Sequence, residues 1–247
     1  MIGAGARQAT IALSLLVVSW SAPAVAYRPF DGTDATVAAP GEFEVELGPV
    51  GYLREGSDRS IVAPALVLNY GFAERWEAVL QSRAQHGLSG DNRQSTVNDD
   101  GAFLKGVVRE GSLQGHSGPS VATEFGVLLP GVNDEHGVGG SVAAIVSQQF
   151  SWLTVHLNGQ AAVTRADHAD LFIGAIIEGP RDWTVRPVAE VFYDREFDAT
   201  RTVSGLIGAI WQALDNLALD VALREARAND RSDTEIRAGL TFSFPVR

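Results

Sequence analysis

The sequence predicts an all-β fold, a single antiparallel up-and-down transmembrane β-barrel of about 12 strands. Three observations predict it. First, residues 63–83 (APALVLNYGFAERWEAVLQSR) read in steps of two as two strands and a tight turn over Gly71-Phe72-Ala73-Glu74. Pro64, Leu66, Leu68 and Tyr70 share one face of the first strand, and Trp76, Ala78 and Leu80 share one face of the second. The larger apolar side chains lie on these faces and aromatics flank the turn, as in a hairpin with a lipid side and an interfacial girdle. Second, the same alternation recurs an even number of times, which returns both ends to one side of a barrel. Third, short turns alternate with generally longer polar loops, and the chain closes on an alternating strand bearing Phe242 and Phe244. A soluble sandwich shares the alternation but not this combination.

The N-terminus supports export. Arg7 precedes an apolar run, Ala9 to Trp20, and Ala24-Val25-Ala26 fits a small-x-small cleavage rule. Residues 1–26 are therefore expected to be a signal peptide and 27–40 a polar periplasmic lead-in, with the barrel over 41–247. The apolar run is shorter than the roughly 20 residues a spanning helix needs. A net charge of −11 argues against nucleic acid. The chain has no cysteine, so a large core or a closed sheet must hold it together. Mean hydropathy is only +0.04, as expected when apolar residues are confined to alternate positions.

The strands follow in order. The first, from Gly41 to about Arg54, sets Phe43, Val45 and Leu47 against inward Glu42, Glu44 and Glu46, and Arg54 to Arg59 is a charged loop. The second and third are the hairpin of 63–83. His86 to Asp100 is long and polar, an outer loop. The fourth, from Gly101, points Lys105, Val107 and Arg109 inward. The fifth, Pro119 to about Pro130, sets Val121, Phe125 and Val127 against Glu124. The sixth, Val138 to Phe150, puts Ser141, Ser147 and Gln149 opposite Val142 and Val146, and Phe150-Ser151-Trp152 is a short aromatic-rimmed turn. The seventh alternates most regularly, with Leu153, Val155 and Leu157 outward and Thr154, His156 and Asn158 inward. The eighth, His168 to Glu178, and the ninth, from Trp183, point Asp170, Glu178, Arg186, Glu190 and Asp194 inward. The tenth is Arg201 to Trp211. The eleventh sets Leu219 against Asp220 and Arg224, with Ala226 to Asp233 as a loop. The twelfth places Glu235 and Arg237 opposite Ile236 and Ala238. In hydrocarbon an unpaired backbone group costs several kcal/mol, so the last strand must pair with the first. Twelve strands leave more room than eight, hence a narrow, partly polar lumen.

Four segments, PGEFEVELGPVGY (40–52), APALVLNYGFAERWE (63–77), GVLLPG (126–131) and AGLTFSF (238–244), carry a family likeness. The chain resembles bacterial outer-membrane barrels grouped as putative transporters of the phenol-degradation meta-cleavage pathway type. The resemblance implies uptake of small aromatic or hydrophobic molecules. The C-terminus, Phe244-Pro245-Val246-Arg247, departs from the usual terminal aromatic.

The candidate lumen-lining residues are Glu77, Arg83, Lys105, Arg109, Glu124, His156, Asp170, Arg186, Glu190, Asp194, Asp220, Arg224 and Arg237. Charges of both signs beside Val67, Val79, Phe103 and Phe192 suit a channel or transporter for small, amphipathic solutes. Arg186 and Glu190 share a face about 13 Å apart, which would leave Arg186 open to an anionic group. The same charges could instead form a ladder that fills the barrel, giving a structural or adhesive barrel with a plugged lumen. A lipid-modifying outer-membrane enzyme is the third class, but there is no GxSxG or HExxH. No cofactor is expected, and Asp134, Glu135 and His136 read as a solvated loop rather than a metal site. The expected location is the outer membrane of a Gram-negative bacterium. The expected partners are outer-membrane lipid, a small-molecule solute and the outer-membrane assembly machinery, and not nucleic acid.

Overall fold

Twelve antiparallel strands close into one barrel, each paired with its neighbours in sequence and the last with the first. The structure, a computed structural model, describes residues 28–89 and 94–246. The expected signal peptide lies outside the described residues. The strands are β1 (Glu42–Glu55), β2 (Asp58–Ala73), β3 (Trp76–Gly87), β4 (Ser95–Arg109), β5 (Ser120–Leu128) and β6 (Gly139–Gln149). They continue as β7 (Thr154–Val163), β8 (Ala169–Glu178), β9 (Val185–Glu196), β10 (Arg201–Leu214), β11 (Leu217–Ala228) and β12 (Arg231–Pro245). No helix of the described residues is long and apolar enough to cross a membrane.

The two faces follow the period-two pattern. Ile207 is 65% exposed, Val191 62% and Leu157 51%, while Lys105 is 0% and Glu46 and Glu77 are 1% exposed. Apolar outside and charged inside is the inverse of a soluble barrel, and it is what a hydrocarbon surround requires. Asn158 and Asp220 are buried in the lumen opposite Leu157 and Leu219, as the alternation predicts.

Aromatics gather at the end where β1 starts, which carries the β2–β3, β6–β7, β8–β9 and β10–β11 turns; the opposite end is the loop end. Phe72, Trp76, Phe150, Trp152, Trp183 and Trp211 are exposed there. The barrel seam closes beside them. Phe43 on β1 packs on Tyr70 of β2 at 4.7 Å between ring centroids and on Phe244 of β12 at 6.0 Å. Pairs of this kind add about 0.5–1.5 kcal/mol each beyond the area they cover.

Four expected boundaries move. The segments expected as loops at 54–59 and 226–233 are strand except for two-residue turns, Gly56-Ser57 and Asn229-Asp230. Arg231 bridges them, 2.9 Å from Glu55 on β1 and 2.7 Å from Asp233 on its own strand, so a cross-strand ion pair helps hold polar sequence in the ladder. Strand β4 begins at Ser95 rather than Gly101, because Ser95 to Asn98 pair with Arg83 to His86 of β3. The β2–β3 turn is Glu74-Arg75 rather than Gly71 to Glu74, with β2 running on to Ala73.

The largest departure concerns the lead-in. Residues 28–40 are expected outside the barrel, in the periplasm. They lie inside it, threaded from the middle of the lumen to the end where β1 starts. The physical reason is that a twelve-stranded lumen is too wide for its own side chains to fill, and this segment supplies matching polar groups.

Candidate functional site

The lumen and its inserted segment form the site. Arg28 sits against β11 and β12, its Nε 3.4 Å from Asp220 and its Nη2 donating to the Ala238 carbonyl. The Pro29 carbonyl accepts Arg237 Nη1 at 2.7 Å. Asp31 is paired with Arg237 at 2.9 Å and Arg224 at 3.4 Å. The chain then crosses the lumen. Glu190 of β9 accepts the backbone N–H groups of Asp31 (2.8 Å) and Gly32 (2.7 Å). Thr33 and Asn158 of β7 exchange two hydrogen bonds, at 3.0 and 2.9 Å. Asp34 lies 3.6 Å from Lys105 of β4, which is also 3.6 Å from Glu77 of β3. Ala35 donates to Ser147 of β6, and Ala38 to Glu77. At the exit, Gly71 of β2 has no side chain because a Cβ there would meet the carbonyl oxygens of Ala38 and Ala39.

These contacts engage six of the thirteen sequence-predicted residues, and do so as anchors of residues 28–41. Glu77, Lys105, Glu190, Asp220, Arg224 and Arg237 all bind the segment directly. Arg83 is held by Glu235 at 2.8 Å. Glu124 faces Lys105 across the β4–β5 ladder, and Asp170 faces Glu196 across β8–β9. Asp194 lines a cavity described below.

Two expectations are corrected. Arg109 does not enter the lumen. A register shift between Val107 and Arg109 turns its exposed side chain to the β4–β5 connection, where it donates to the Pro119 carbonyl at 2.9 Å. Nor is Arg186 open to an anionic solute. Glu178 on the adjacent strand lies 3.5 Å from its Nε, and Glu190 is occupied by the segment's N–H groups.

His156 stands in a chain of three neighbouring strands. Its Nδ1 is 2.8 Å from Ser147 Oγ and its Nε2 is 3.0 Å from Glu178 Oε1. A serine, an imidazole and a carboxylate in a row are the parts of a nucleophilic relay. Here Ser147 is fully buried and already accepts the Ala35 N–H, so while the segment is seated no acyl group can reach it. The relay works as an anchor. Sequence reading gave Ser147 and His156 the same inward face without pairing them. The signal available was their register, since they are direct partners across β6 and β7.

Arg28, Asp31 and Asp34 were missed as lumen residues. Their only signal was a short polar run with charges three apart, which reads equally well as a solvated lead-in. Among the described residues no group of three or more His, Cys, Asp or Glu side chains is placed to hold a metal, and Asp134, Glu135 and His136 are exposed.

Space remains on both sides of the segment. A cavity of about 210 Å³ lies at the end where β1 starts, lined by Ala38, Glu42, Glu44 and Glu77. Two of about 330 Å³ lie beyond Phe30 toward the loop end. One is bounded by Arg83, Glu235 and Arg237, the other by Phe103, Glu124, Phe172 and Asp194.

No family model and no curated protein matches the chain. Solved structures do share its architecture. An outer-membrane channel from Pseudomonas putida F1 superposes with a TM-score of 0.64 at 14% identity, over 87% of this chain and 100% of that one. The KdgM porin in complex with disordered oligogalacturonate does so with a TM-score of 0.54 at 11% identity, over 81% and 99%. At these identities the likeness shows the fold alone, a closed antiparallel barrel.

Proposed function

We propose that this chain is an outer-membrane channel or transporter for small aromatic or amphipathic solutes, closed at rest by its own residues 28–41. The reading places it in the outer membrane of a Gram-negative bacterium, delivered by a cleaved signal over residues 1–26. It also keeps it among the putative transporters of the meta-cleavage pathway type. The observation that carries it is the partly filled lumen, with cavities of about 330 Å³ and 210 Å³ on opposite sides of one inserted segment. A barrel serving only as a scaffold has no need of ligand-sized space, and about 300 Å³ is where small-molecule sites begin.

The test is conductance of the refolded full chain in a planar bilayer. The wild type is expected to show low or intermittent current. Glu190→Ala, which removes the acceptor for two of the segment's N–H groups, is expected to raise it severalfold. Silence in both would overturn the channel reading. It would favour instead a structural barrel, which the many bonds holding residues 28–41 also suit.

A further inference from the structure

We propose that the cavity beside Asp194 binds an organic cation that carries an aromatic ring. This deepens the channel reading and takes its solute class from that same lumen. The cavity measures about 330 Å³ and lies between the inserted segment and the loop end of the barrel. Three phenylalanines wall it, Phe30, Phe103 and Phe172, and Phe172 is backed by Phe192 at 5.0 Å between ring centroids. Gln81, Asn158 and Gln160 add amides.

Charge decides the class. Five charged residues line the space: Arg28, Asp31, Glu46, Glu124 and Asp194. The one cation, Arg28, is taken by Asp220 and the Ala238 carbonyl. Asp31 is taken by Arg237 and Arg224. Glu46 accepts from Asn69 (3.0 Å) and from the backbone of Arg28 (3.1 Å). Glu124 shares Lys105 with Asp34 and Glu77. Asp194 makes no hydrogen bond or ion pair among the described residues, and its acidic neighbours Asp170 and Glu196 add to its field. The neighbouring base, Arg224, is engaged by Asp31 and Glu235 and lies over the Phe192 ring at 5.3 Å.

A carboxylate with no hydrogen bond or ion pair among the described residues, in a cavity walled by three phenyl rings, suits one kind of guest. A cationic head is attracted both by Asp194 and by the quadrupoles of the phenyl rings. An aromatic tail fills the apolar walls. An aromatic anion meets Asp194, Asp170 and Glu196 at like charge. A neutral aromatic leaves Asp194 desolvated and unpaired, which disfavours it.

The experiment is calorimetric titration of the detergent-solubilised full chain with benzyltrimethylammonium, tetramethylammonium, benzyl alcohol and benzoate. Saturable one-to-one binding is expected for benzyltrimethylammonium, at least tenfold weaker binding for tetramethylammonium and benzyl alcohol, and none for benzoate. Asp194→Asn is expected to weaken the benzyltrimethylammonium affinity at least tenfold while the barrel keeps its far-ultraviolet spectrum. If that variant does not fold, Phe172→Leu tests the ring in the same assay, with the same expected loss. Absence of saturable binding, equal affinity for benzoate, or unchanged affinity in the folded variants would overturn the proposal. A barrel that conducts without binding this cation overturns it and leaves the channel reading standing. Cation binding by a barrel that never conducts supports the site and removes the channel.

Discussion

Glu190 Oε1 accepts the backbone N–H of Gly32 at 2.7 Å, across the lumen and 158 residues away in sequence. Its other oxygen accepts the N–H of Asp31 at 2.8 Å. One carboxylate thus satisfies two successive amides of a segment with no secondary structure of its own, where charge-assisted bonds are the strong ones.

Glu190→Ala leaves both amides without their acceptor, at a cost of about 1–3 kcal/mol for each donor left unsatisfied. Hydrogen exchange of residues 28–36 is expected to accelerate while β7 to β10 stay protected. Unchanged exchange in that segment would mean that the other anchors suffice.

Gly71→Ala changes no lumen charge, yet its Cβ would press on the carbonyl oxygens of Ala38 and Ala39, which are backbone and cannot swing aside. The segment's exit must shift. Single-channel current is expected to rise as in Glu190→Ala, with ion selectivity unaltered. A closed, unperturbed channel would show that the exit has slack.

Lys105→Met removes the cation between Asp34 and Glu77 in a fully buried place. Breaking a buried pair on one side costs about 3–5 kcal/mol, because the remaining charge is uncompensated. Adding Glu77→Gln is expected to restore part of the loss in a reversible unfolding titration. Strict additivity of the two losses would show that the residues are not coupled.

Leu157→Arg puts a charge on the lipid face, where the midplane cost is about 2–4 kcal/mol. Asn158→Ala, one residue away, faces the lumen and loses two hydrogen bonds to Thr33. The first variant is expected to lower barrel stability, and the second mainly to loosen residues 28–41, read by hydrogen exchange. Equal effects on both readouts would contradict the assigned faces.

Much of the fold was legible because β-structure has a period of two, and that period survives in any stretch of sequence long enough to count. Leu157 and Asn158, or Leu219 and Asp220, reveal their faces without any partner being known. Strand number followed from the turns, and closure followed from the cost of an open edge in hydrocarbon. Loop lengths were legible only in part. Residues 95–98 and 226–228, which read as loop, extend strands because their backbones pair with β3 and β12.

What the sequence determined by itself is therefore the barrel, its two faces and the inward charges of the strands apart from Arg109. Which charges meet was decided by the tertiary structure. Arg186 and Glu190 lie on one strand face, but their partners come from Glu178 on β8 and from Asp31 and Gly32 in the inserted segment. Arg28 and Asp34 read as a solvated lead-in until the barrel closes around them. Contacts across a lumen join residues far apart in sequence and leave no local period. They exist only once closure has made a space too wide to fill from its own walls and too apolar in its surroundings to leave charges unpaired.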